Sequence, residues 1–69
     1  MDNNDMIIFN SIYNKVFNTN GTMKVCGRDL CMKLISVANT IDNSTNYGNL
    51  TTGMINIDNI NILHNKLFT

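Results

Sequence analysis

The chain contains no Glu, Gln, Pro or Trp, and only one Ala (Ala38), one Arg (Arg28) and one His (His64). Without Glu, carboxylate chemistry falls to the Asp residues alone. Asp2 and Asp5 lie at the N-terminal end and Asp29, Asp42 and Asp58 are widely spaced, so no general acid/base pair is written into the sequence. Charge is also scarce: five basic residues balance five acidic ones, 14% of the chain is charged, and the net charge is zero. That balance removes the usual electrostatic reason to bind nucleic acid or anionic membranes non-specifically. No apolar run approaches the roughly 20 residues that cross a bilayer, so no membrane partner is expected. The four glycines, at 21, 27, 48 and 53, form neither a Walker A loop nor a dinucleotide fingerprint. At 69 residues the chain holds a single small domain and leaves little room for an active site with its own cleft. The expectation is a protein that is not an enzyme and carries no cofactor.

Two cysteines and one histidine fall short of the four ligands of a structural zinc site. Cys26 and Cys31 are five residues apart, about 140° of rotation if both lay on a helix, so their thiols would not share a face. A Cys–His pair with His64 would lack an oxyanion loop. The N-terminal Met-Asp-Asn-Asn-Asp is acidic, and Ile7, Ile8 and Phe9 are too few for the apolar stretch of a signal peptide. The expected compartment is therefore intracellular and reducing, with both cysteines as thiols. Residues 18–29 resemble a degenerate EF-hand loop, with Asn18, Asn20 and Thr22 at positions 1, 3 and 5, Val25 at 8 and Asp29 at 12. The segment has one carboxylate and no bidentate Glu, and Met23 stands where the loop needs Gly. No metal is expected, and an ordinary connection between two helices is the competing reading.

What the chain has in abundance is Asn, 14 of 69 residues, together with nine Ile. Both have AT-rich codons, whereas the scarce Ala, Pro, Arg and Gly have GC-rich ones, so the composition is that of an AT-rich genome. It resembles proteins of large AT-rich DNA viruses such as poxviruses, or of AT-rich parasites and phages. The likeness covers composition and no motif. The Asn residues are scattered among apolar ones, and the 43% hydrophobic content is near the globular average. A folded domain is expected rather than a low-complexity tract.

Apolar periodicity places the elements. Ile8, Phe9, Ile12, Tyr13, Val16 and Phe17 recur at three- and four-residue spacing, which predicts an amphipathic helix over 5–18, capped by Asn3 or Asn4 and stopped by Asn20-Gly21. Residues 22–26 read as a short strand or an extended linker. Leu30, Leu34, Ile35, Ala38 and Ile41 mark a second helix over 28–41, with Cys31 beside the stripe. Residues 42–53 are nearly all turn formers and read as a loop. Residues 54–68 are ambiguous. Asp58 would cap a helix over 58–67 bearing Ile60, Leu63 and Leu67. Alternatively an Asp58-Asn59 turn would pair Ile57 with Ile60 and Ile55 with Ile62 in a hairpin. The run from His64 to Phe68 favours helix. The fold class is mainly α, a small three-helix domain. Its expected core is Ile8, Phe9, Ile12, Val16, Leu30, Leu34, Ile35, Ala38, Ile41, Ile60, Leu63 and Leu67.

A domain below roughly 70–80 residues rarely draws more than about 3–5 kcal/mol from its core, so burial against a partner or a second copy is a natural supplement. The long polar loop offers Tyr47, flanked by Asn46 and Asn49, as a contact surface, since Tyr is enriched at interfaces. The leading expectation is a non-enzymatic protein-interaction module, an accessory factor of an AT-rich virus or mobile element acting on a host or assembly partner. One alternative is a helix-turn-helix-like nucleic-acid-binding domain using Lys24, Arg28 and Lys33. The other is a structural peptide of a larger assembly.

Overall fold

A computed structural model describes residues 2–69. The first helix, α1, spans Asn3–Val16. Its cap is Asp2, whose Oδ1 accepts from the Asn4 backbone N–H at 2.8 Å, so it starts earlier than Asn3 or Asn4 as cap would place it. It ends where Phe17 turns extended and donates its N–H to the Tyr13 carbonyl. The chain then doubles back. Asn18 N–H donates to Thr22 O and Lys24 N–H to Val16 O, both at 2.8 Å, and Met23 forms an isolated bridge with Phe17. Of the short strand or extended linker expected over 22–26, the strand amounts to that bridge and the rest is linker. The segment closes on the end of α1, with Val25 exposed, and does not form the EF-hand arrangement.

The second helix, α2, spans Arg28–Ile41, the range the periodicity predicts. Its cap is Gly27, which supplies no side-chain hydrogen bond. Beyond it lies a hairpin hidden within the expected loop. Strand β1 (Gly48–Asn49) runs antiparallel to β2 (Met54–Ile55), with Gly48 opposite Ile55 and Asn49 opposite Met54. Two glycines make this possible. Gly48 has φ +144°, and a Cβ there would collide with the Met54 carbonyl oxygen and sit 2.7 Å from Ile35 Cδ1. Gly53, at φ +74°, lets the turn rest on α2, where a Cβ would lie 3.1 Å from Arg28 Cγ and 3.2 Å from Arg28 O.

The third helix, α3, spans Ile57–Phe68 and is capped by Asn56, whose Oδ1 accepts from Asn59 N–H at 3.1 Å. Residues 54–68 are thus part strand and mostly helix. Asp58 and Asn59 lie in the first turn of α3, so neither the Asp58 cap nor the Asp58-Asn59 hairpin forms.

The three helices and the hairpin enclose one core of Phe9, Tyr13, Val16, Phe17, Leu34, Val37, Ala38, Tyr47, Ile60 and Leu63, with Ile35 also fully buried. Ile12, Leu30, Ile41 and Leu67 line its rim. Ile8, expected inside, is 42% exposed and lies outside the buried stripe of Phe9, Tyr13 and Val16. No helix among the described residues is long and apolar enough to cross a membrane.

Candidate functional site

The loop expected to present Tyr47 instead hides it. Tyr47 is 3% exposed and belongs to the core, while its hydroxyl donates to Asp42 Oδ2 at 2.6 Å. The Ser44 hydroxyl and then the Tyr47 hydroxyl hold the Asp42 carboxyl far below the usual carboxylate range. Burial, followed by that bond to a carboxylate, pushes the Tyr47 phenol up. The flanking amides shape turns. Asn46 Oδ1 accepts from Gly48 N–H at 3.0 Å, and Asn49 Oδ1 accepts from Thr51 N–H at 2.8 Å and Thr52 N–H at 3.2 Å. The Asn46 carbonyl also takes a bond from Asn59 Nδ2 at 2.7 Å, which ties the loop to α3. Tyr47, Asn46 and Asn49 are near one another, but as the means by which a polar segment closes over the core.

The candidate cations have separate surroundings. Arg28 Nη2 donates to the Thr51 carbonyl at 2.7 Å, so this guanidinium is committed to the hairpin turn. Lys24 borders a cleft between the end of α1 and α3, and Lys33 is exposed on α2. The cysteines also differ from expectation: Cys26 and Cys31 are joined, with Cα atoms 5.6 Å apart. The helical-rotation argument fails because Cys26 precedes the Gly27 cap and is not on the helix. Among the described residues no group of three His, Cys, Asp or Glu side chains is placed to hold a metal ion.

Helices α1 and α3 meet through an aromatic stack. Phe68 approaches Ile7, His64 approaches Asn10 and Tyr13, and Asn61 meets Tyr13, so the two helices run antiparallel. The Tyr13 ring is sandwiched between Phe17, at a centroid distance of 4.7 Å, and His64, at 3.7 Å and 7° from parallel. The Tyr13 hydroxyl donates to Asn61 Oδ1 at 2.5 Å, and Asn61 Nδ2 donates to Gly21 O at 3.0 Å, which locks the 18–22 turn against α3. Burial pushes the Tyr13 phenol up and the His64 imidazole down. His64 Nε2 lies 3.1 Å from Asn10 Oδ1, so the neutral tautomer protonated at Nε2 donates there.

Two concavities flank this stack. One, of about 1040 Å³, is rimmed by Asn14, Asn18, Asn20, Asn65 and Lys24 over the ring edges of Tyr13 and Phe17. The other, of about 430 Å³, joins Met6 and Ile7 of α1 to Phe68 of α3, with Asn3, Asn10 and Ser11 around them. Ile7 is 66% exposed and Phe68 39% exposed. This groove escaped the sequence reading. Its trace was Ile7 itself, an apolar residue in register with Asn10, Ser11 and Asn14 on the polar face of α1. The chain matches no known protein family, no curated protein and no solved structure.

Proposed function

We propose that the chain is a non-enzymatic protein-interaction module whose contact surface is the groove formed by Met6, Ile7 and Phe68. The observation that supports this reading is the meeting of exposed apolar side chains from two helices in one uncharged concavity. Scattered surface hydrophobics are ordinary, whereas apolar side chains converging from separate elements favour a partner's apolar anchor. The groove lining carries no charge, so a partner docks there through burial and not through ion pairing. In this reading the chain is an intracellular accessory factor of an AT-rich virus or mobile element, acting on a host or assembly protein.

The test is an affinity capture from native lysate with the full chain and with its Ile7→Asp variant, identifying both protein and nucleic acid. Ile7 is outside the core, so the variant keeps the fold. The reading predicts one dominant protein that resists moderate salt and is lost with Ile7→Asp. Nucleic acid that washes off between low and moderate salt would replace it with a nucleic-acid-binding function through Lys24, Arg28 and Lys33. An isolated chain that aggregates or is unfolded would favour the structural peptide.

A further inference from the structure

The bonded cysteines play no part in that reading and carry an inference of their own. Cys26 lies just before the cap of α2, and Cys31 lies in the helix itself. Their Cα separation of 5.6 Å is within the span a disulfide bridges. The two residues are unequally exposed: Cys31 is 5% exposed and Cys26 is half-buried. We propose that Cys26–Cys31 is a reversible thiol–disulfide exchange site for low-molecular-weight thiols of the glutathione type. Cys26 is the sulfur attacked and Cys31 the sulfur released.

The exchange balances in two steps. A thiolate RS⁻ attacks Cys26 Sγ, forming a mixed disulfide and breaking the Cys26–Cys31 bond, and Cys31 leaves as a thiolate that takes a proton. A second RS⁻ attacks the R-side sulfur of the mixed disulfide, releasing the Cys26 thiolate and the oxidised thiol RSSR. Two electrons pass from two thiols to the protein, and RSSR reverses the sequence. The order follows from access, because the incoming thiolate reaches Cys26 while Cys31 is held in the core. Two further features fit. The closed ring is short, spanning five positions, and so constrains the unfolded chain less than a long cross-link does. The α2 N-terminus, with no side-chain cap, favours negative charge on Cys26, which aids its departure in the second step.

The exchange has a structural consequence. Arg28 lies inside the ring, and on it rest both the Thr51 carbonyl, 2.7 Å from Nη2, and the turn glycine Gly53. Opening the ring removes the covalent tie that flanks Arg28, the residue on which the hairpin turn rests. In a reducing cell interior, where disulfides are transient or redox-sensing, the pair would then couple thiol balance to the seating of residues 48–55.

The test exposes the folded full-length protein to glutathione in native buffer and follows the two-hydrogen mass gain and backbone amide exchange. The proposal predicts reduction without denaturant, restoration by glutathione disulfide, and faster exchange at 48–55 in the reduced form. Separately, Cys31→Ser and Cys26→Ser are treated with glutathione disulfide, and the mixed disulfide should form about tenfold faster at Cys26 than at Cys31. A bond that survives glutathione until the chain unfolds overturns the proposal. So does Cys26→Ser reacting as fast as Cys31→Ser in folded protein. Should either variant fail to fold, the wild-type arm decides alone.

Discussion

Adding one methyl group at Gly48 should cost most of this protein's stability. Gly48 holds φ +144°, and the Cβ of an Ala there would run into the Met54 carbonyl oxygen and lie 2.7 Å from the fully buried Ile35. Backbone strain at a conformation reserved for Gly costs about 1–3 kcal/mol. Forcing an extra carbon against a packed core side chain costs about 1–3 kcal/mol more. Together these give roughly 2–6 kcal/mol, against a core that contributes about 3–5 kcal/mol in a domain of this size. Urea unfolding followed by far-UV circular dichroism should show the Gly48→Ala midpoint far below that of wild type, by a destabilisation of at least about 2 kcal/mol. Gly27→Ser is the matched control. Gly27 has an extended backbone and nothing within 4 Å of a Cβ, and Ser adds the missing cap to α2. It should be neutral or stabilising by a few tenths of a kcal/mol. A Gly48→Ala protein within about 0.5 kcal/mol of wild type would refute the close seating of the hairpin on α2.

Three further perturbations have defined outcomes. The Asp42 carboxyl is held low by Ser44 and Tyr47, so the unfolded chain binds more protons near the ordinary Asp value of about 3.9. Stability from this group is present above that pH and is lost as pH falls below it, and Asp42→Asn should flatten this acid limb in urea midpoints measured across pH. Burial lowers the His64 pKa, so the unfolded chain takes up its proton first, near about pH 6.5. Stability should decline as pH falls below that value, and His64→Phe, which keeps a ring on Tyr13, should remove the decline. Reducing Cys26–Cys31 should lower stability by about 2 kcal/mol on the chain-entropy relation for so short a ring, read from unfolding with and without reductant.

The helices were legible because their information is local. The stripes through Phe9, Val16, Leu34, Ile35 and Ala38 repeat within a few residues, and α2 falls where its stripe predicts. The hairpin was not legible, because β1 lies among turn formers and its two pairs depend on Gly48 fitting over Ile35, a contact distant in sequence. Tyr47 reads as exposed for the same reason. Only the tertiary fold shows that its ring completes the core and its hydroxyl finds Asp42. The ambiguity at 54–68 was real, since Ile55 pairs as a strand two residues before Ile57 opens α3. The cysteine bond was not legible because a reducing compartment implied thiols and the rotation test applied only to two helical residues, whereas Cys26 lies before the Gly27 cap. The groove of Met6, Ile7 and Phe68 needs the antiparallel approach of α1 and α3, which no single segment encodes.

The proposed function has a partner protein docking on the uncharged face where α1 meets the end of α3. Its most direct test is capture with wild type beside Ile7→Asp, each first shown to be folded by circular dichroism. The account predicts that a single salt-resistant protein partner is retained by the wild type and lost by Ile7→Asp. Retention by both proteins, or recovery only of nucleic acid that moderate salt removes, would contradict it.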